Sequence, residues 1–309
     1  MSFILKTAHL SHQYSSSWAI RDINIEIQER GIIGLLGSNG AGKSTTMNII
    51  CGVLNQTEGD VYIDGIDLRR EPEQAKKQIG FLPQTPPLYT DLTIDEYLTY
   101  SAQLRLMDKD KVKTAVEEVK ERCGITHFSS RLIRNLSGGY RQRVGIAQAI
   151  IHKPRLVVMD EPTNGLDPNQ LIEARKLIRE IAREHTVLLS SHILSEINLL
   201  CREIIMIEAG SIVFADTMDA FNNYVQTKSI LMRLENPPLT EELLKVPGVT
   251  KVDFLTEQQL RVHFDSSQED VSDALVAASV AGGWGLREIT PDKGLLDDVF
   301  KHLSTQAPA

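Results

Sequence analysis

Three short stretches carry side chains whose types and spacing suit chemistry on a phosphate. The first is Gly37-Ser38-Asn39-Gly40-Ala41-Gly42-Lys43-Ser44-Thr45, which fits the pattern GxxxxGK[ST] and directly follows the apolar run IIGLL. A glycine-rich turn lets backbone N–H groups converge on phosphate oxygens without side-chain collisions. An ammonium at Lys43 would reach the β- and γ-phosphates, and the Ser44 hydroxyl would ligate Mg²⁺. The second stretch, Leu156-Val-Val-Met-Asp160-Glu161, is an apolar run ending in two acids. Adjacent side chains diverge at a strand's end, so Asp160 can serve the Mg²⁺ shell while Glu161 faces the water attacking a γ-phosphate. The third is LSGG, whose Ser137, Gly138 and Gly139 stand just before the apolar run VGIAQAII. That is how a chain prepares a helix N-terminus for an anion. Ser137 also reads as an ordinary helix cap, and the two uses share a geometry.

These residues need elements to hold them. IIGLL, LVVMD and TVLLSS are continuous apolar runs, as strands covered on both faces are, whereas INIEI alternates like a half-buried strand. The stretch from Leu92 to about Ile151 is helical and charged, and LIEARKLIREIARE separates two of the apolar strands. Strand–helix–strand alternation predicts a parallel α/β sheet with crossover helices. After Gly210 the pattern changes. SILMRLE, VTKVDFLT, LRVHFD and WGLREI read as strands, and VSDALVAASVA and GLLDDVFKHLS as helices. The last of these places Leu295, Leu296, Val299, Phe300 and Leu303 on one face. A domain boundary is expected near residues 217–227, with the phosphate-loop region over 1–220 and a small α+β domain over 221–309.

Bulk composition narrows the function. With 33 basic against 41 acidic residues the net charge is −8, which argues against generic nucleic-acid binding. The pairs Arg69/Arg70 and Arg141/Arg143 read as solvated faces. Cys51, Cys123 and Cys201 form no CxxC pair and suit a reducing compartment. No apolar run approaches the roughly 18 residues needed to cross a bilayer, and MSFILKTAHL lacks a signal-peptide pattern. A cytoplasmic protein is expected.

Taken in order, GSNGAGKST, Gln84 in FLPQ, LSGGYRQR, LVVMDEP, GLD at Gly165–Asp167 and His192 after TVLLSS resemble the nucleotide-binding subunit of an ATP-binding-cassette (ABC) transporter. The resemblance covers about residues 1–220. It implies a P-loop NTPase cassette with a RecA-like core, an antiparallel β subdomain and a helical subdomain at about 90–151. It also implies ATP and Mg²⁺ as ligands and a head-to-tail pair of cassettes. In such a pair Ser137, Gly138, Gly139 and Asp167 of one subunit close over ATP held by Gly37–Thr45 of the other. Tyr14 resembles the aromatic residue that stacks on adenine, Gln84 the residue that touches Mg²⁺ or the attacking water, and His192 the residue that contacts the γ-phosphate. Catalysis is expected from Glu161, His192, Gln84 and Lys43, and metal binding from Ser44, Gln84 and Asp160. One departure is Tyr140, where many members have glutamine.

The segment from Gln84 to Leu98 and the C-terminal domain resemble the ATPases of ABC-2 type exporters. That resemblance implies a separate integral membrane permease, reached from the cytoplasmic face of the inner membrane, with no nucleic-acid partner. Two alternatives stay open on the sequence: an importer cassette, which shares every catalytic motif, and a soluble ABC ATPase acting on ribosomes or DNA.

Overall fold

The computed structural model describes residues 3–28, 30–225, 229–265 and 268–292. They fall into two compact units divided between Met218 and Asp219.

The first unit contains two sheets. One is antiparallel, with β1 (Leu5–Tyr14), β2 (Ser17–Ile27), β4 (Glu58–Ile63) and β5 (Ile66–Asp67) in the order β2-β1-β4-β5. The other has six strands: β3 (Ile32–Leu36), β6 (Ile79–Leu82), β7 (Leu156–Met159), β8 (Thr186–Ser191), β9 (Glu203–Glu208) and β10 (Ser211–Thr217). Their order is β10-β9-β3-β8-β7-β6, and all pair in parallel except β9 with β10. Every residue of β3, β7 and β8 is buried. Such strands have apolar neighbours on both faces, which is why they read as unbroken apolar runs rather than alternating ones.

Strand order decides where the chemistry gathers. Leu36 pairs with Ser191, and Met159 with Leu189, so β3, β7 and β8 end at one edge. The phosphate loop, the acid pair and His192 all leave the sheet there, the edge at which parallel α/β sheets bind ligands. Helices α1 (Lys43–Ile50), α2 (Pro72–Lys77), α6 (Pro168–Ile181) and α7 (Leu194–Leu200) connect the strands. Between β6 and β7 the chain runs through α3 (Ile94–Leu104), α4 (Lys109–Arg122) and α5 (Gly138–Ile150). Helix α3 opens with a capping box in which the Thr93 hydroxyl accepts from the Glu96 N–H and the Glu96 carboxylate accepts from the Thr93 N–H. Lys120 of α4 is buried with its ammonium donating to Asp95 at 2.5 Å and Glu117 at 2.9 Å, which ties α3 to α4. No helix among the described residues is long and apolar enough to cross a membrane.

After α8 (Met218–Val225) the second unit runs β11 (Ser229–Leu234), α9 (Thr240–Leu243), β12 (Val249–Phe254), β13 (Gln259–Phe264), α10 (Gln268–Ala281) and β14 (Leu286–Pro291). The sheet is antiparallel in the order β12-β13-β11-β14, the arrangement of a ferredoxin-like βαββαβ unit. Alternate residues Ile230, Met232 and Leu234 of β11 and Leu260, Val262 and Phe264 of β13 form its core with Val271, Leu275 and Trp284. The helix expected over GLLDDVFKHLS lies outside the described residues.

At the opposite edge of the first unit's parallel sheet, His152 donates Nε2–H to the Ile79 carbonyl at 3.0 Å, while its Nδ1 is buried without a partner. Burial, with help from the nearby Arg105 guanidinium, pushes the imidazole from 6.5 down to about 4. The folded protein therefore holds this ring neutral while the unfolded chain takes up a proton below about pH 6.5, so stability is lost as pH falls from there towards 4. The loss from this group is at most about 3 kcal/mol. We expect His152→Gln to shrink the drop in thermal midpoint between pH 7 and pH 4.5 measured by calorimetry. An unchanged drop would contradict the assignment.

Candidate functional site

The phosphate loop joins β3 to α1. Its turn needs glycine where the backbone is left-handed: Gly42 has φ +109°, and a Cβ there would lie 2.5 Å from Ile20 Cγ2 and 2.9 Å from the Ala19 carbonyl. The same closeness sets the β1–β2 hairpin against the loop. Gly37 is packed for another reason, since a Cβ would fall 2.4 Å from the Ile207 carbonyl of β9. No side chain caps the start of α1, so its first N–H groups are left for an anion. Asn39 and Ser44 are exposed, Thr45 is half-buried and Ala41 is buried.

Lys43 is buried, and its ammonium donates to the carbonyls of Gly37 at 2.9 Å and Ser38 at 3.0 Å. Burial pulls this lysine below its usual range, while the carboxylates of Glu161, Asp160 and Glu208 push the other way. Glu208, at the end of β9, also accepts from the Ser38 hydroxyl at 2.9 and 3.1 Å. Sequence reasoning missed Glu208, because only the pairing of β9 with β3 brings it to the loop.

Both acids are buried. Their carboxylates have different partners, and both residues lie just beyond the strand. Strand β7 ends at Met159, and Glu161 takes a left-handed φ of +47°, which costs a non-glycine residue on the order of 1–3 kcal/mol. Ser190 of β8 holds the pair in this form. Its hydroxyl accepts from the Glu161 N–H at 2.8 Å and donates to Asp160 Oδ1 at 2.5 Å. Glu161 Oε1 then accepts from His192 Nδ1 at 3.0 Å, and its Oε2 accepts from Asn164 Nδ2 at 3.3 Å. The structure thus joins Glu161 and His192 directly. Gln84 is exposed just beyond β6, the neighbour of β7, on the same edge.

Ser137 is the N-cap residue of α5, as its place in the sequence suggested, but its side chain makes no capping hydrogen bond. Ser137 and Gly138 are exposed. Gly139 is packed, with space for no Cβ beside the Gln170 amide. Asp167 is the N-cap of α6, accepting from the N–H groups of Asn169 at 3.0 Å and Gln170 at 2.9 Å. Among the described residues no hydrogen bond connects Ser137, Gly138 or Gly139 with the chain's own phosphate loop. Tyr140 stands edge-on to Phe128 at 4.7 Å and to His127 at 5.8 Å, so the aromatic departure from glutamine braces the start of α5. Tyr14 is half exposed at the hairpin tip and edge-on to His12 at 4.5 Å.

Comparison with known proteins gives this geometry its context. The family profile described as "ABC transporter" matches residues 20–164. The bacitracin transport ATP-binding protein BcrA of Bacillus licheniformis is 38% identical over 215 residues, 69% of each chain. The linearmycin resistance ATP-binding protein LnrL of Bacillus subtilis is 29% identical across 97% of this chain and 98% of its own. A dimeric ATP-binding cassette solved in a post-hydrolysis state with ADP and Pi is 25% identical, with a TM-score of 0.63, covering 69% of this chain and 98% of the other. The chain belongs to the ABC transporter ATP-binding family. Its fold is the P-loop NTPase cassette, and its reaction is the hydrolysis of ATP.

Ser190 gives a test of the geometry. Ser190→Ala would leave the buried Glu161 N–H without an acceptor and release Asp160. We expect ATP turnover to fall about tenfold or more, with nucleotide affinity nearly kept, as read by steady-state hydrolysis and equilibrium binding. Wild-type turnover would show that the bridge does not hold the acids.

Proposed function

We propose that this chain is the ATP-hydrolysing subunit of an exporter, working as a pair of cassettes that drives a separate integral membrane permease. The reading rests most on one observation: Glu161, aimed by a left-handed turn and bonded to His192, stands at the same sheet edge as the phosphate loop.

In this reading the N–H groups of Gly37–Thr45 and the start of α1 hold the phosphates, and Lys43 turns from its own loop carbonyls to the β- and γ-oxygens. Tyr14 stacks on the adenine. The donor set of Ser44, Gln84 and Asp160 is all oxygen, which suits Mg²⁺, an ion that keeps waters and phosphate oxygens among its ligands. When bound, Mg²⁺ neutralises charge developing on the β- and γ-phosphate oxygens. Glu161 accepts a proton from the attacking water, and His192 keeps the carboxylate oriented and faces the γ-phosphate. Ser137, with no capping bond of its own, offers its hydroxyl with the N–H groups of Gly138 and Gly139 to ATP held by a second cassette, either a second copy or a related subunit. Asp167 sits at that seam.

Closure of the pair would move α3, α4 and α5 as a lever, with the segment from Gln84 to Leu98 docking the permease at the cytoplasmic face of the inner membrane. The relatives' roles in bacitracin transport and linearmycin resistance support outward movement of a compound over import or a role on ribosomes or DNA.

Gentle detergent extraction of the tagged chain from its native cells, followed by mass spectrometry, tests the reading. A multi-spanning membrane protein is expected in stoichiometric amount. Ribosomal or DNA-repair partners without an integral membrane protein would overturn it, and a stoichiometric extracytoplasmic binding protein would turn it towards import.

A further inference from the structure

Four positions after His192 the chain carries a further acid, Glu196. Glu196 is buried in the short helix α7, and an acid is rarely found there without partners. Its Oε2 accepts from the hydroxyl of Thr163 and, at 3.5 Å, from that of Ser191. Its Oε1 lies 3.6 Å from a terminal nitrogen of Arg175. Ser191 in turn accepts from the Ile193 N–H at 3.0 Å, so the backbone on both sides of His192 is fixed.

The three partners come from three separate segments. Thr163 lies two residues after Glu161, Ser191 immediately precedes His192, and Arg175 belongs to α6, the helix capped by Asp167. A single carboxylate therefore fastens the segment bearing the acid to the segment bearing its histidine, and ties both to the helix that starts at Asp167. Ser190 holds Glu161 by its main chain from within β8, while Glu196 holds the following turn by a side chain from α7. With Glu161 in a left-handed conformation, the turn from Pro162 to Asn164 needs an outside anchor. Thr163 supplies the hook and Glu196 the anchor.

We propose that Glu196 is a positioning residue for hydrolysis. It fixes the geometry between Glu161 and His192 through Thr163 and Ser191, and couples that geometry to α6 through Arg175. This rests on the reading of Glu161 as the group that takes the proton from water. Among the described residues neither Lys43 nor the phosphate loop bonds to Glu196, so ATP binding does not pass through it. Glutamine keeps the shape and can accept one hydroxyl, but it gives up the attraction to Arg175. Alanine loses every bond and leaves the Thr163 hydroxyl buried without an acceptor.

The experiment measures kcat, KM for ATP and thermal midpoint for the full chain and for Glu196→Gln, Glu196→Ala and Thr163→Val. Each is made in the wild-type and in the Glu161→Gln background. Thr163→Val removes the hook while leaving the buried acid in place, which guards against a Glu196 variant that fails to fold. We expect kcat to fall about tenfold for Thr163→Val and Glu196→Gln and further for Glu196→Ala, with KM for ATP within about twofold. In the Glu161→Gln background, where turnover is already about a hundredfold lower, the same changes should cost little more, because they act through Glu161. If Glu161→Gln is nearly inactive but Glu196→Gln and Thr163→Val keep wild-type kcat, the positioning role is overturned. A KM that rises in step with the loss of kcat would also overturn it. If Glu161→Gln itself turns over at the wild-type rate, the site reading fails instead, and the two failures are distinct.

Discussion

A buried ammonium governs this site. Lys43 is removed from solvent at the edge of a parallel sheet, and the groups that satisfy it are carbonyl oxygens of its own loop. Turning the Gly37 and Ser38 carbonyls inward requires the tight glycine turn, and it leaves the opposite side of that turn presenting N–H groups outward. Three carboxylates face the same charge: Glu161, Asp160 and Glu208 oppose the effect of burial on Lys43. The lysine's charge is thus shared between carbonyls and acids. In the proposed function a triphosphate in the loop would offer this lysine stronger, fully charged acceptors.

The rest of the cassette serves to bring the other groups to that edge. Parallel pairing of β3 with β8 and β8 with β7 puts the ends of three strands side by side, although residues 36, 159 and 191 lie far apart in the chain. Hydroxyls then set the fine geometry. Ser190 couples the two acids through the Glu161 N–H and Asp160 Oδ1, and Ser191 couples His192's neighbour to Glu196. These bonds are buried or partly buried, where an unmade hydrogen bond costs more than at the surface. Strain at Glu161 is held in place by them.

Much of this was legible in the residues. IIGLL, LVVMD and TVLLSS announced buried parallel strands because two-sided burial erases polar alternation, and the glycine spacing around Lys43 announced the phosphate loop. What was hidden depended on proximity between distant strands or on backbone angles. The roles of Ser190 and Glu208 were not legible, because each bonds a group that lies far from it in the chain. The left-handed backbone of Glu161 just before Pro162 was not legible in the run LVVMDE. Ser137 occupies the cap position its place in the sequence suggested, while its side chain is left without a capping bond. In the second unit the alternation of β11 and β13 was readable because one face of that sheet is buried and the other is not.

The proposed function assigns the Lys43 ammonium to the β- and γ-phosphates of the nucleotide. The most direct measurement is titration calorimetry of ATP and of AMP into the full chain and into Lys43→Ala, with circular dichroism to establish that the variant is folded. The account predicts that Lys43→Ala weakens ATP binding by about tenfold to a hundredfold, while the weak binding of AMP, which lacks the terminal phosphates, is unchanged. Equal ATP affinity in the two folded proteins would contradict it.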